Sequence, residues 1–181
     1  MIYVTPIKLS SKTTLFLSEQ PGKRALQFSK KHPFINSAAF HRAAVEDIED
    51  FKKLSPIAII VLLSSRELEK YNPSLESLYR EALPTARLAF FPIEDYSAPK
   101  SLLRFNELIR FAKGMLRSGN VIVHCAGGFG RTGLFATALL ISLGKSFEDS
   151  LKYIRQVRPG SVETLPQLQF LKDFADGRNK K

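Results

Sequence analysis

The 181-residue sequence contains only one cysteine, Cys125, and no tryptophan. A single cysteine cannot form a disulfide within the chain, so the fold needs no oxidising compartment. The longest apolar runs fall well short of the ~20 residues that a membrane-spanning helix requires, and the start of the chain does not resemble a signal peptide. These absences predict a soluble, intracellular, cytoplasmic protein without a membrane span.

Acidic residues are fewer than basic ones: 17 Asp and Glu stand against 27 Lys and Arg, which gives a formal net charge of +10. The basic residues do not form one long block. A positive surface raises the encounter rate with phosphorylated substrates, acidic proteins and RNA. The charge therefore allows an acidic partner or RNA as well as an ordinary solvated surface, and it leaves the oligomeric state open.

Strands and helices alternate in the predicted secondary structure. A continuous aliphatic run at 57–63 predicts a fully buried strand of a parallel sheet. Further strands are predicted at 1–4, 13–18, 86–92 and 120–124. Helices are predicted at 43–54, 75–82 and 101–117, and in three pieces from Arg131 onward, separated by Gly144 and by 158–160. The polar stretch 29–41 is predicted to be irregular.

This alternation predicts a single α/β domain with a central, mostly parallel sheet flanked by helices. We expect the domain to span 1–177 and a short basic tail to follow at 178–181. In open sheets of this type, ligands bind beyond the carboxyl ends of the strands. The functional site should therefore lie directly after the predicted strand 120–124.

The segment after this strand is suited to binding a phosphate. Its residues are Ala126, Gly127, Gly128, Phe129 and Gly130. Glycine allows positive φ and lets successive backbone N–H groups converge on one anion. The segment leads into a predicted helix, whose N-terminal N–H groups and dipole also attract negative charge. These five residues are therefore predicted to bind the phosphate group of a substrate.

Reactive side chains stand at both ends of this segment. Cys125 begins it, in a positive environment that favours the nucleophilic thiolate. Arg131 ends it, and its planar guanidinium can hold two phosphate oxygens, including those that gain charge in the transition state. Thr132 can donate its hydroxyl to the sulfur and so stabilise the thiolate. His124 is better placed to shape the loop through hydrogen bonds than to attack a substrate.

The pattern H-C-x-x-G-x-x-R-[ST] at 124–132 resembles the signature of the cysteine-dependent protein tyrosine phosphatase superfamily. The resemblance implies a small, atypical dual-specificity-phosphatase-like enzyme that acts on phosphorylated proteins through a phosphocysteine on Cys125. It also implies that no metal and no organic cofactor is needed. Without tryptophan, the W-P-D acid loop of the large receptor-like tyrosine phosphatases is absent. That departure favours a compact enzyme that accepts phosphoserine and phosphothreonine beside phosphotyrosine.

The leaving oxygen of a substrate needs a general acid. The proline-bounded segment 90–99 offers two carboxylates, Glu94 and Asp95, after a predicted strand. The segment resembles the acid loop of the small atypical dual-specificity phosphatases, which reads P-I-x-D with a Pro a few residues later. This resemblance selects Asp95, with Glu94 as its rival, as the general acid and as the base that activates water in the second half-reaction.

A third segment, 154–167, is similar to the stretch that ends the domain in this family. Thr164 is suited to cap the last helix. The resemblance implies that Gln167 faces the active site and helps to orient the hydrolytic water. Arg158 and Glu163 are expected at most to support the loop.

Two other functions stay open. The positive charge allows an RNA 5′-triphosphatase of the same superfamily, although Gly130 replaces the Asn of that branch. A non-catalytic phosphoprotein-binding module is the second alternative, but Cys125, Arg131 and Asp95 are all in place. A lipid substrate is less favoured, because no Lys or Arg occurs between Cys125 and Arg131.

Overall fold

The computed structural model describes residues 2–25, 37–71 and 74–179. Over these residues the chain forms a five-stranded sheet with the strand order β1-β2-β5-β3-β4. The strands are β1 (Val4–Lys8), β2 (Thr14–Ser18), β3 (Pro56–Val61), β4 (Arg87–Phe90) and β5 (Asn120–His124). β1 is antiparallel to β2, and all other neighbouring strands are parallel. The predicted α/β fold with a mostly parallel central sheet is confirmed.

Helices flank this sheet. Their ranges are α1 (Ser37–Lys53), α2 (Ser65–Tyr71), α3 (Leu75–Ala82), α4 (Leu102–Met115), α5 (Gly130–Ser142), α6 (Phe147–Val157) and α7 (Leu165–Asn179). Within the described ranges, no helix is long and apolar enough to cross a membrane.

The central strands β3 and β5 are buried on both faces. Ile60 and Val123 pack on one face with apolar side chains of α4 and α5. Ile59 and Ile122 pack on the opposite face with side chains of α1 and α3. Because successive side chains of a strand point to opposite faces, burial on both sides requires a continuous apolar run. This explains why the run at 57–63 predicted its strand correctly.

Most predicted elements are confirmed with small shifts of their ends. The strand at 120–124 and the helix at 75–82 have the predicted limits. The three C-terminal helices are separated at Gly144 and at 158–160, as expected. Helix α7 continues to Asn179, so the proposed boundary between a domain at 1–177 and a tail at 178–181 stays a prediction.

Two predictions at the start of the chain are wrong. The first strand is Val4–Lys8 rather than 1–4. It lies at the edge of the sheet, where Pro6 is tolerated because an edge strand is paired on one side alone. Residues 37–41 belong to α1 and are not irregular, while 29–36 lie outside the described residues.

Helix α2 was not predicted, although its sequence carries a start signal. The Glu67 amide donates to Ser64 Oγ at 3.3 Å, and Glu67 Oε2 accepts from the Ser64 amide at 2.8 Å. This reciprocal pair is a capping box, which S-x-x-E at 64–67 encodes. The box begins α2 directly after β3 and places Glu67 at the carboxyl edge of the sheet.

Candidate active site

The phosphate loop, defined as residues 125–131, connects the central strand β5 to the N-terminus of α5. One of its glycines, Gly128, is required by close packing. Gly128 has φ +75, and a Cβ there would collide with the backbone carbonyl of Ser18. A larger residue at this position would displace the loop from β2. At Gly130 a Cβ would meet the side-chain ends of Glu163 and Gln167, which would have to move.

Cys125 lies buried at the start of this loop, 2% exposed. The amide of Gly128 donates a hydrogen bond to Cys125 Sγ at 3.2 Å. A backbone N–H that points at the sulfur stabilises a negative charge there. The turn of the loop thus brings a fixed dipole to the predicted nucleophile.

Arg131 is buried in the first turn of α5, and acceptors from two other segments surround its guanidinium. Arg131 Nη1 and Nη2 donate to the two carboxylate oxygens of Glu67, at 2.5 and 2.9 Å. Nη1 also donates to Ile93 O at 2.9 Å. Burial alone would lower the pKa of Arg131, but hydrogen bonds and charge from Glu67, together with Cys125 and Asp95, raise it above its ordinary value. The guanidinium is therefore charged and held in one orientation.

Glu67 is a site residue that sequence analysis missed. Burial opposes its ionisation, but hydrogen bonds from Arg131 and Ser64 outweigh this effect and lower the pKa of Glu67. The bidentate contact fixes the plane of the Arg131 guanidinium. The capping box at 64–67 was the available signal, because it marks a carboxylate that follows a central strand.

The acid loop, defined as residues 91–99, contains both carboxylates that were considered as general acid. Asp95 Oδ1 lies 2.9 Å from Arg131 Nη2. Glu94 instead lines a surface pocket with Lys100 and Arg104. The structure thus joins Asp95, and not Glu94, to the end of the phosphate loop.

The start of α7 holds the acid loop. Thr164 Oγ1 donates to Tyr96 O at 2.9 Å, and Gln167 Nε2 donates to Ser97 O at 3.2 Å. Gln167 Oε1 accepts from the Glu163 amide at 2.9 Å. Thr164 Oγ1 also accepts from the Gln167 amide at 3.4 Å, which fits its expected capping position. Gln167 lies at the site, but both ends of its amide are engaged in supporting the loops.

His124, at the end of β5, is fully buried. Its Nδ1 lies 3.3 Å from Cys125 O, and its Nε2 lies 2.8 Å from the Tyr79 hydroxyl. Because a carbonyl oxygen only accepts, Nδ1 carries the hydrogen and Nε2 accepts from Tyr79. Burial lowers the pKa of His124 to about 4. A neutral imidazole with both ring nitrogens hydrogen-bonded is suited to orient the loop and not to act as a nucleophile.

The hydrogen bond predicted from Thr132 to the sulfur is absent from this structure. Thr132 is buried, and its hydroxyl has no hydrogen-bond partner among the described residues. The sulfur accepts from the Gly128 amide instead. The buried Thr132 hydroxyl therefore makes no hydrogen bond to a described residue. Its donation to the Cys125 thiolate stays a prediction.

Arg158 connects the phosphate loop to the N-terminal strands. Its guanidinium lies over two neighbouring rings, 4.3 Å from the centroid of Tyr3 and 4.8 Å from that of Phe129, and the two centroids are 6.4 Å apart. Its Nη1 donates to Thr5 Oγ1 at 2.8 Å and to Leu17 O at 3.2 Å. Burial lowers the pKa of Arg158. The aromatic residue of the loop is thus fixed against the N-terminal strands, a contact that local sequence could not reveal.

No cluster of His, Cys, Asp and Glu that could hold a metal ion is found in the described part of the chain. The chemical groups that the site does bring together are a thiol, a charged guanidinium, a carboxyl group and the backbone amide of Gly128. Such a set can bind a phosphate, attack it and protonate its leaving group.

Comparison with known proteins agrees with this geometry. Residues 38–145 match the family described as "Polymorphic toxin system, DSP-PTPase phosphatase". Cyclin-dependent kinase inhibitor 3 of Rattus norvegicus is 29% identical over 136 residues, which cover 72% of this chain and 63% of that protein. Tyrosine-protein phosphatase non-receptor type 20 of Homo sapiens is 31% identical over 94 residues, 49% of this chain and 22% of that protein. The chain thus spans less than two thirds of these relatives.

Solved structures show the same fold. Kinase associated phosphatase (KAP), with its catalytic-site cysteine replaced by serine, superimposes with a TM-score of 0.80 at 24% identity, covering 99% of this chain and 97% of that one. Tk-PTP in its active form gives a TM-score of 0.65 at 26% identity, covering 95% and 97%.

The family match covers more than half of the chain and includes both the acid loop and the phosphate loop. This chain therefore belongs to the family described as "Polymorphic toxin system, DSP-PTPase phosphatase".

Proposed function

We propose that this chain hydrolyses phosphotyrosine, and also phosphoserine and phosphothreonine, in proteins through a phosphocysteine intermediate on Cys125. The observation that carries the proposal is the contact between Arg131 and Asp95, 2.9 Å, at the end of the loop that Cys125 begins. It joins the residue expected to donate a proton to the residue expected to bind phosphate, and the loop between Arg131 and the expected nucleophile Cys125 is short. The 31% identity over 94 residues with tyrosine-protein phosphatase non-receptor type 20 supports a protein substrate.

In the first half-reaction the Cys125 thiolate attacks phosphorus and the bond to the leaving oxygen breaks. The backbone N–H groups of the phosphate loop and the Arg131 guanidinium bind the phosphoryl oxygens. The Asp95 carboxyl group donates its proton to the leaving oxygen, so that the product departs as an alcohol or phenol. A bound phosphate dianion competes with Asp95 for Arg131.

In the second half-reaction a water molecule attacks the phosphocysteine. The Asp95 carboxylate, left after the first step, takes the proton of the water, and the S–P bond breaks to release inorganic phosphate and the thiolate. Gln167 is committed to Ser97 O and to the Glu163 amide. We therefore assign Gln167 to positioning the acid loop, while its second Nε2 N–H and the second lone pair of Oε1 remain available to a water.

The test measures phosphate release by the wild-type protein and by Cys125→Ser. The substrates are matched phosphotyrosine, phosphoserine and phosphothreonine peptides and triphosphate-ended RNA, with EDTA present. Because Ser is far less acidic than a thiol, Cys125→Ser should lose at least about 10³-fold in kcat. Rapid acid quenching of the wild type should yield phosphoprotein on the peptide that contains Cys125.

The outcomes separate the candidate functions. Turnover of phosphopeptides that is lost in Cys125→Ser supports the proposal, and the best peptide defines the phosphoamino-acid preference. Faster phosphate release from RNA than from any peptide would make the chain an RNA 5′-triphosphatase. Tight phosphopeptide binding without turnover would show a binding module, and normal turnover by Cys125→Ser would refute the phosphocysteine mechanism.

A further inference from the structure

A lysine from a distant part of the chain lies beside the phosphate loop. A Cβ added at Gly127 would be 3.5 Å from Lys23 Nζ and 3.4 Å from Phe129 Cδ2. Gly127 and Lys23 are both partly exposed. The structure therefore places an ammonium group at the accessible side of a loop that contains no lysine of its own.

The backbone on either side of Lys23 is held in place. The Gln20 amide donates to Ala126 O in the phosphate loop at 3.2 Å. The Gly22 amide donates to Asp47 Oδ2 of α1 at 2.9 Å. Gly22 has φ +78, and a Cβ there would lie 2.7 Å from the Phe40 ring, so the turn requires glycine. These contacts fix the position from which the Lys23 side chain reaches the loop.

Lys23 has one charged partner already. Its Nζ lies 3.3 Å from Glu19 Oε2, with 23% of the Lys23 side chain and 14% of the Glu19 side chain exposed. An ammonium group has three N–H donors. It can therefore keep Glu19 and still bind an anionic group that approaches from the solvent side.

The other cations of the site are not available for this purpose. Arg131 is engaged by Glu67 and is reserved for the transferred phosphate. Arg158 is fully buried against the rings of Tyr3 and Phe129. Among the described residues at the loop, Lys23 is therefore the cation that can meet a second negative charge on the substrate.

We infer that Lys23 recognises an anionic group next to the phosphorylated residue, so that this phosphatase prefers phosphopeptides with an acidic residue or a second phosphate beside the target. The inference rests on the proposed phosphatase function. It also offers a specific role for part of the positive charge of the chain.

The experiment compares phosphotyrosine peptides that differ only in the flanking residues, Asp against Asn on each side, with a doubly phosphorylated peptide as a third arm. The measured quantity is the ratio of kcat/KM for the acidic and neutral peptides. The variants are Lys23→Gln, Lys23→Arg and the control Lys52→Gln. Lys52 is an exposed, ion-paired lysine at the C-terminal end of α1. Because α1 leads into the first residue of β3, Lys52 lies near the amino ends of the parallel strands, whereas the phosphate loop lies at their carboxyl ends.

A partly exposed ion pair contributes up to about 1 kcal/mol, which corresponds to a preference of about fivefold. We expect this preference in the wild type and in Lys52→Gln, its loss in Lys23→Gln, and its retention in Lys23→Arg. A ratio that is the same in the wild type and in Lys23→Gln overturns the inference while leaving the phosphatase function intact. If Lys23 recognises an acidic residue, Lys23→Gln lowers kcat/KM more for the Asp peptide. If it recognises a second phosphate, the larger loss of kcat/KM occurs with the doubly phosphorylated peptide.

Two further measurements keep the inference testable. Glu19→Gln removes the competing carboxylate and should raise the preference for acidic flanks, and an unchanged ratio counts against the inference even when Lys23→Gln does not fold. If the wild type cleaves no peptide, the proposed function fails. The affinity of the same peptides for Cys125→Ser then tests the role of Lys23. Acidic peptides should bind more tightly than neutral ones, and Lys23→Gln in the Cys125→Ser protein should remove this difference.

Discussion

Asp95 Oδ1 lies 2.9 Å from Arg131 Nη2, so an ion pair joins the acid loop to the end of the phosphate loop. Arg131 is 1% exposed, whereas Asp95 is 54% exposed. The buried partner is fixed by Glu67 and Ile93 O, and the exposed partner is held through the backbone of Tyr96 and Ser97. A phosphate that binds Arg131 must therefore displace or rearrange Asp95, which couples substrate binding to the position of the acid.

The two carboxylates of the acid loop should differ sharply in kinetic effect. Asp95→Asn removes the proton donor, and general acid catalysis contributes about 10²–10⁴-fold, so we expect kcat to fall by that order. Glu94→Gln, the matched control, should change kcat less than about threefold, because Glu94 lines a different pocket. Steady-state kinetics on a phosphoserine peptide checks both. A larger loss of kcat in Glu94→Gln than in Asp95→Asn would identify Glu94, and not Asp95, as the general acid.

Glu67→Gln should impair both the site and the fold. It removes a charge-assisted, bidentate partner from a buried guanidinium, which costs about 1.5–3 kcal/mol in the free energy of unfolding. We expect kcat to fall more than KM rises, since the misaligned Arg131 loses transition-state contacts. Urea unfolding and kinetics measure the two effects.

The control for Glu67 is Glu76→Gln. Glu76 pairs with Arg80 on the exposed face of α3, with both side chains more than half exposed. Exposed pairs contribute little, so its stability should change by less than about 1 kcal/mol. Equal losses in the two variants would contradict a special role for the Glu67–Arg131 pair.

Arg158→Lys should loosen the phosphate loop although it retains the charge. Lysine has no planar guanidinium to stack on the rings of Tyr3 and Phe129. We expect a loss of about 1–3 kcal/mol in the free energy of unfolding, from the stacking and the buried hydrogen bonds. Chemical denaturation provides the measurement, with the exposed Arg80→Lys as its control. Wild-type stability and kinetics in Arg158→Lys would show that the contacts of the guanidinium with the two rings do not support the loop.

His124 should make stability depend on pH. Burial lowers its pKa to about 4, whereas an unfolded histidine has its ordinary value of 6.5. Between these values the unfolded chain binds more protons than the folded chain. This contribution is fully present above pH 6.5 and is lost by about 1.4 kcal/mol per unit as the pH falls towards 4.

Urea unfolding between pH 4.5 and 7.5 checks this slope. His124→Gln should be less stable at pH 7.5 because it loses the bond with Tyr79, but its stability should vary less with pH over the same window. His41→Gln changes an exposed histidine of α1 and should keep the wild-type slope. An undiminished slope in His124→Gln would assign the pH dependence to other groups.

The sequence by itself determined those parts of the protein whose signals are local. The strand at 120–124, the helix at 75–82 and the phosphate loop between a strand and a helix each depend on apolar runs, helical spacing or glycine spacing within a few residues. Family resemblance selected Asp95 over Glu94, and the structure connects Asp95 to Arg131.

Only the tertiary structure decided which side chains surround the loop. Glu67 reaches Arg131 across 64 positions of sequence, and Arg158 reaches Thr5 across 153. Lys23 Nζ lies beside Gly127 because β2 pairs with β5, so that the segment that follows β2 runs next to the phosphate loop that follows β5. Periodicity and spacing describe neighbours along the chain, whereas these contacts arise from strand order and packing. The core of the site was therefore evident from the sequence, but its charge environment was not.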